Sequence, residues 1–238
     1  GTKLSNYLME HDKEYIATIK LGQKTDTLDS EGKVIEEKEV KEEWLNVEKI
    51  NKILKTFEGK QEQVPPIYSA IKVNGKKLYE YARKGQNVDI KPRSIEIYSI
   101  ILKSIKNNEI IIDVKCSKGT YIRSLCSDIS EKIGTVGYMK ELRRMQVGEF
   151  DLKNSIDGEK LLKKEIKLDD IQKDLITIEE LFKDKSKIIL NKKMLQLYLN
   201  GVQLSIKQKD GIYNIYDEQN EYIGIGIISN NKLKRDIV

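Results

Sequence analysis

Residues 93–134 read RSIEIYSIILKSIKNNEIIIDVKCSKGTYIRSLCSDISEKIG, and their pattern decides the fold class. Arg93 to Lys106 and Glu109 to Cys116 flank the turn dipeptide Asn107-Asn108, so they are expected to pair as a hairpin with Ile110, Ile112 and Val114 facing one way. Leu125, Ile129 and Ile133 then share one side of a helix over about Ser124 to Ile133, which Gly134 ends. Downstream, Tyr138 to Phe150 reads as another strand with Arg143-Arg144 inside it. Upstream, Glu14 to Leu21 alternates as a strand, Gly22 to Gly32 is rich in turn residues, and Val34 to Val40 returns as a second strand. Asn46 caps a helix with apolar face Val47, Ile50, Ile53, Leu54 and Phe57, closed by Gly59. Past Val64-Pro65-Pro66, Ile67 to Val73 reads as a strand leading to the tight turn Asn74-Gly75, and Leu78 to Lys84 as a short helix stopped by Gly85. Before all of these, Leu4, Tyr7 and Leu8 follow the stripe of a helix end. Strands that hairpin locally, with helices between them, predict an α+β fold on a mixed, largely antiparallel sheet.

From Asp151 to about Lys187 the chain carries short helices and charged linkers. The tail then has its own helix, Met194 to Asn200, and strands Ile212 to Tyr216 and Tyr222 to Ile228 around an Asp217-to-Asn220 turn, a separate small β domain. With 43 Lys and Arg against 38 Asp and Glu, the net charge of +5 permits an RNA or other anionic partner without requiring one. His11 is the one histidine, which excludes serine-triad chemistry and most histidine-based metal sites. Cys116 and Cys126 do not form a C-x-x-C pair and are expected to be buried, reduced thiols. No apolar run is long enough to span a bilayer and no signal peptide is evident, so a cytoplasmic protein is the simple expectation.

Four segments carry a resemblance to a known family. They are Lys13-Glu14-Tyr15-Ile16 with Leu21-Gly22-Gln23-Lys24-Thr25-Asp26-Thr27 and the Asp29-to-Gly32 turn; Pro65-Pro66-Ile67-Tyr68-Ser69-Ala70-Ile71-Lys72-Val73-Asn74-Gly75-Lys76-Lys77-Leu78-Tyr79-Glu80-Tyr81-Ala82-Arg83; Cys116-Ser117-Lys118-Gly119-Thr120-Tyr121-Ile122-Arg123; and Leu142-Arg143-Arg144. In order and spacing they resemble the bacterial TruB family of tRNA pseudouridine synthases. The resemblance implies a pseudouridine synthase fold over 1–184, truncated at its start, with a thumb insertion at about 65–90 and an RNA-binding β domain of PUA type over 185–238. Such enzymes cleave the C1′–N1 bond of a uridine, turn the uracil and rejoin it through C5. No redox change occurs, so neither cofactor nor metal is expected; the implied partner is the T arm of tRNA, bound by a monomer.

Residue by residue, Tyr15 matches the tyrosine that stacks on the flipped base and helps remove the C5 proton. By itself, without the resemblance, it reads instead as a half-buried strand tyrosine. Tyr121 and Arg123 match pocket residues, the arginine being the partner of the catalytic aspartate. If 120–123 is extended, both side chains point to one face. Leu142 matches an apolar residue near the substrate, with plain sheet core as its alternative, and Lys3 a basic residue at the pocket entrance. In the thumb, Lys72, Lys76, Lys77 and Arg83 are interleaved with Tyr68, Tyr79 and Tyr81, a mixture suited to phosphate contact and base stacking. Arg143 and Arg144 extend the RNA-binding set.

The family's nucleophilic aspartate belongs to a Gly-Thr-Leu-Asp-Pro segment, expected upstream of Gly1 and found nowhere in the chain. Thr27-Leu28-Asp29 imitates its middle, but Ser30-Glu31-Gly32 follows, and Asp29 reads as a turn residue. Arg123 is then expected to meet solvent, a borrowed anion or another acid, and the chain alone to be inactive. Two alternatives remain: a non-catalytic RNA-binding or tRNA-folding protein, and a protein-interaction module.

Overall fold

The computed structural model describes residues 2–5, 7, 11–172 and 175–238, and the chain divides into two compact units, Gly1–Ser155 and Ile156–Val238. The first unit contains, in chain order, β1 (Lys13–Leu21), β2 (Gln23–Thr25), β3 (Val34–Glu37), α1 (Val47–Lys55), β4 (Gly59–Gln63), β5 (Lys72–Val73), β6 (Lys76–Lys77), α2 (Leu78–Arg83), β7 (Arg93–Lys106), β8 (Glu109–Cys116), α3 (Ile122–Ile133), β9 (Gly137–Val147) and β10 (Phe150–Asp151). Of the helix end expected over Leu4 to Leu8, Thr2–Leu4 form one 3-10 turn, and Leu8 lies outside the described residues.

The β7–β8 hairpin turns on Asn107 and Asn108, with φ 53° and 59°. That is the left-handed pair a two-residue turn requires, and asparagine tolerates it better than most residues. A six-stranded antiparallel sheet grows from this hairpin in the order β10-β9-β1-β8-β7-β4. One face of it buries Ala17, Ile19, Ile110, Ile112 and Val114 in a single cluster with Ile50 and Leu54 of α1 and Ile122, Leu125, Ile129 and Ile133 of α3. Each of the isoleucine, leucine and valine side chains contributes about 1.5–3 kcal/mol on burial. Asn46 caps α1 as expected, its Oδ1 accepting from the Glu48 and Lys49 amides at 2.9 and 3.2 Å.

Three expectations need correction. Ile67 to Ala70 is a run of bends, and only Lys72–Val73 pairs, with Lys76–Lys77. The reason is that its carbonyls serve other segments: Ser69 and Ile71 accept from the Tyr79 and Leu78 amides at the start of α2. Strand β4 was not anticipated, because Gly59-Lys60-Gln61-Glu62-Gln63 has no apolar alternation; it is an edge strand held by its ladder to β7. The strand expected over Tyr138 to Phe150 ends at Val147 as β9, and the chain then folds back as β10.

The second unit contains α4 (Gly158–Leu162), α5 (Leu168–Ile171), α6 (Ile178–Leu181), β11 (Lys187–Ile189), α7 (Lys192–Leu199), β12 (Leu204–Ser205), β13 (Gly211–Tyr216), β14 (Tyr222–Ser229) and β15 (Lys232–Ile237). Its five strands run β11-β13-β14-β15-β12, parallel only between β11 and β13. The fully buried Tyr198 of α7 donates to the Ile225 carbonyl at 3.0 Å. Gly226 makes room for it, since a Cβ there would stand 3.0 Å from that hydroxyl and 2.7 Å from a Leu233 methyl. By contacts this unit starts at Ile156, ahead of the boundary expected at 184/185. Residues just before Lys187 are bonded into its sheet: Asn214 Nδ2 donates to the Phe182 carbonyl at 2.8 Å and Tyr216 to Glu179 at 2.7 Å. Among the described residues no helix is long and apolar enough to cross a membrane.

Candidate active site

Helix α3 starts at Ile122 with Tyr121 as its extended N-cap, φ −96° and ψ 107°. The expected extended run over 120–123 is therefore absent, and Tyr121 and Arg123 do not share a face by strand alternation. The helix has instead taken Arg123 into its first turn, because the apolar side of α3 that packs on the sheet begins at Ile122.

From there the arginine joins three segments. Its Nη1 donates to the Thr27 carbonyl at 3.0 Å and to Asp29 Oδ2 at 2.9 Å, and its Nη2 donates to the Tyr68 carbonyl at 2.8 Å. Both side chains of the ion pair are 21% exposed. Arg123 has thus met another acid, one of the three fates open to it. The turn reading of Asp29 is locally correct, since its Oδ1 accepts from Thr27 Oγ1 at 2.6 Å and from the Glu31 amide at 3.2 Å. It was incomplete, because the other oxygen serves a residue distant in the chain. The Thr-Leu-Asp triplet was the available signal.

The same turn is bound to β9. Leu28 has φ 61°, a left-handed conformation that costs a non-glycine residue about 1–2 kcal/mol. In return its carbonyl accepts from the Met139 amide at 3.0 Å, and Asp29 forms a parallel bridge with Met139. This accounts for the strain: the turn is held where Asp29 reaches Arg123.

Tyr121 is fastened through its main chain. Gln63, 5% exposed at the end of β4, accepts from the Tyr121 amide at 2.8 Å and donates to its carbonyl at 3.1 Å. Ser124 Oγ adds a bond to the Val64 carbonyl at 3.0 Å. Sequence reading passed over Gln63, which lies in an all-polar strand and gives no periodic signal.

Tyr15 is buried on β1, 9% exposed, opposite Val114 on one side and Arg144 on the other. The Arg144 guanidinium carbon lies 5.6 Å from the centre of the Tyr15 ring. Ala17 opposes Leu142, so Leu142 and Arg144 stand on the face of Tyr15, while Arg143 opposes Ile16 on the other face. Leu142 is 43% exposed, which removes its reading as plain sheet core. Lys3 is exposed in its 3-10 turn.

The thumb segment is a small ladder, Lys72 opposite Lys77 and Val73 opposite Lys76, turned by Asn74 and Gly75 at φ 50° and 80°. Lys77 and Arg83 both lie over the Tyr79 ring, at 5.4 and 5.3 Å, and Tyr81 donates to the Val73 carbonyl at 3.1 Å. Lys72, Lys76 and Arg83 are exposed. This gives a cationic surface around a ring, rooted through the Tyr68 carbonyl on Arg123. Cys116 and Cys126 are free and buried; burial pushes the Cys116 thiol up to about 11 and Cys126 higher, so neither is an activated nucleophile.

The TruB family pseudouridylate synthase N-terminal domain matches residues 1–122, and the tRNA pseudouridylate synthase B C-terminal domain matches residues 123–189. The tRNA pseudouridine synthase B of Caldanaerobacter subterraneus subsp. tengcongensis is 38% identical over 239 residues, which cover 98% of this chain and 80% of the relative. That of Clostridium novyi is 40% identical over 240 residues, with the same coverage of each chain. Among solved structures, a Cbf5-Nop10-Gar1 complex matches with TM-score 0.58 at 22% identity, over 95% of this chain and 62% of the matched one. An H/ACA RNP bound to a substrate RNA containing 2′-deoxyuridine matches with TM-score 0.57 at 20% identity, over 100% and 68%. Those structural likenesses speak to the fold, and the two domain matches with the closer relatives speak to descent: the chain belongs to the TruB family of pseudouridylate synthases.

Proposed function

We propose that this chain binds the T arm of tRNA as a cytoplasmic monomer and presents the T-loop uridine, drawn out of its stack, to the Tyr15 face of the sheet. The carrying observation is the junction at Arg123, which ties the Asp29 turn and the root of the basic thumb to the start of α3. Extruding a base costs a few kcal/mol, and stacking on an aromatic face returns about 1–3 kcal/mol. Tyr15 supplies that face and a phenol for the C5 proton. Tyr121 and Leu142 complete the pocket wall, and Lys3 stands at its entrance. Lys72, Lys76, Lys77 and Arg83 grip phosphates, with Arg143 extending the basic surface. The small β domain of the tail adds a second RNA surface.

Arg123 is the electrophilic partner of a carboxylate: a cation in the first turn of a helix, where the helix dipole also favours negative charge. Asp29 has one oxygen committed to its own turn and the other to Arg123, so it acts as an anchor for the arginine and not as the attacking group. None of the 238 residues forms the Gly-Thr-Leu-Asp-Pro segment of the family's nucleophile. The chain by itself is therefore proposed to bind and present uridine without isomerising it, an activity expected of a protein that also carries that segment.

Two measurements test this. A T-arm hairpin should bind more tightly than an unrelated hairpin of equal length, with affinity falling as salt rises; equal binding would refute the RNA reading. Tritium release from 5-tritiated uridine in that hairpin should stay at background, and release at normal turnover would refute the inactivity of this chain.

A further inference from the structure

We infer that Arg144 is a positioning residue for the target base: it holds the Tyr15 ring as a stacking platform and is not one more phosphate contact. This rests on the reading of Tyr15 as the base-stacking residue. Tyr15 and Arg144 are directly opposed in the β1–β9 ladder, and the guanidinium carbon is 5.6 Å from the ring centre. That lies within the distance of about 6 Å at which a cation is drawn to an aromatic face. The ring is buried whereas Arg144 is exposed, so the guanidinium reaches the ring from an exposed position on β9. Among the described residues the guanidinium has no hydrogen bond or ion pair that would hold it elsewhere, which leaves the ring as its contact.

The adjacent arginine is an internal contrast. Arg143 opposes Ile16, projects from the other face of the sheet and has no ring opposite it. Two neighbouring arginines of one motif thus have different tasks, because strand alternation sends only one of them to Tyr15. A cation held over the ring restricts its rotation and places positive charge beside the platform, where the carbonyl oxygens of a stacked uracil carry negative charge.

The test compares a T-arm hairpin carrying uridine at the extruded position with the same hairpin made abasic there, by equilibrium binding, so that no turnover is needed. The unsubstituted chain should prefer the uridine hairpin, and Tyr15→Leu should abolish that preference. Arg144→Met should lower the preference about two- to fivefold while leaving the abasic hairpin's affinity and salt dependence unchanged. Arg144→Lys, which keeps a cation, should hold the preference within about twofold, and Arg143→Met should not alter it. If Arg144→Met weakens both hairpins equally and flattens the slope of log affinity against log salt by about 0.7–0.9, Arg144 is a phosphate contact and the inference fails. It fails equally if Arg144→Met changes nothing. If the unsubstituted chain shows no uridine preference, or Tyr15→Leu retains it, the reading of Tyr15 itself is overturned.

Discussion

Asp29→Asn removes one charge from the Arg123 pair with little change of shape. An exposed ion pair contributes about 0–1 kcal/mol, whereas stranding one member of a fully buried pair costs about 3–5 kcal/mol. At 21% exposure for each side chain the pair lies toward the buried limit. Two features soften the loss: Arg123 keeps the Thr27 and Tyr68 carbonyls, and an asparagine oxygen still serves Thr27 Oγ1 and the Glu31 amide. The expected cost is about 2 kcal/mol, between those limits. Trp44, the one tryptophan, packs near Gly134 at the end of α3 and reports on this unit. With a urea slope of about 2–3 kcal/mol/M, its fluorescence midpoint should fall by roughly 0.7–1 M. Arg123→Met and the double variant complete a cycle, in which the two residues should couple by about 1–2 kcal/mol. An unchanged midpoint in Asp29→Asn, or strict additivity in the cycle, would show that the observed pair does not hold the junction together.

Other consequences follow from neighbouring contacts. Gln63→Leu strands the Tyr121 amide, while the Tyr121 carbonyl keeps the Leu125 amide at 3.1 Å, and thermal melting should show a loss of about 2 kcal/mol together with weaker T-arm binding; unchanged melting would mean that Gln63 is not the clamp. Glu109 accepts from Lys140 at 2.8 Å and Lys20 at 3.4 Å, and the Lys140 bond above all holds its carboxyl below the ordinary 4.5. A lowered folded value means stability that is present above that ordinary value and lost as pH falls through the folded one. Acid titration of Glu109→Gln should therefore lose less stability than the parent below about pH 4.5, and parallel curves would contradict the assignment. Native Cys116 and Cys126 should resist iodoacetamide at pH 8 and react only on unfolding, because burial disfavours both thiolates; rapid native labelling of either would show an open site.

Much of the fold is legible in the sequence. The β7–β8 hairpin, α3 and the Asn46 cap are written in short-range terms: a two-residue asparagine turn, a helical repeat of apolar residues, and a capping side chain. Such signals depend on residues a few positions apart, so one sequence carries them. Strand β4 was not legible, since Gly59–Gln63 is a strand only because β7 offers it an edge. The extended reading of 120–123 failed for a similar reason, as packing of Ile122 draws Arg123 into the helix.

For the site, the sequence alone determined the candidate residue types: a tyrosine in a strand, an arginine near a helix start, lysines interleaved with tyrosines, and a single histidine, too few for most histidine-based metal sites. Only tertiary structure decided their partners. That Asp29 meets Arg123, that Gln63 clamps Tyr121 and that Arg144 rather than Arg143 faces Tyr15 are contacts between residues dozens of positions apart or more. They are set by strand register and by how a strained turn seats on β9, and neither is encoded in any local run of residues.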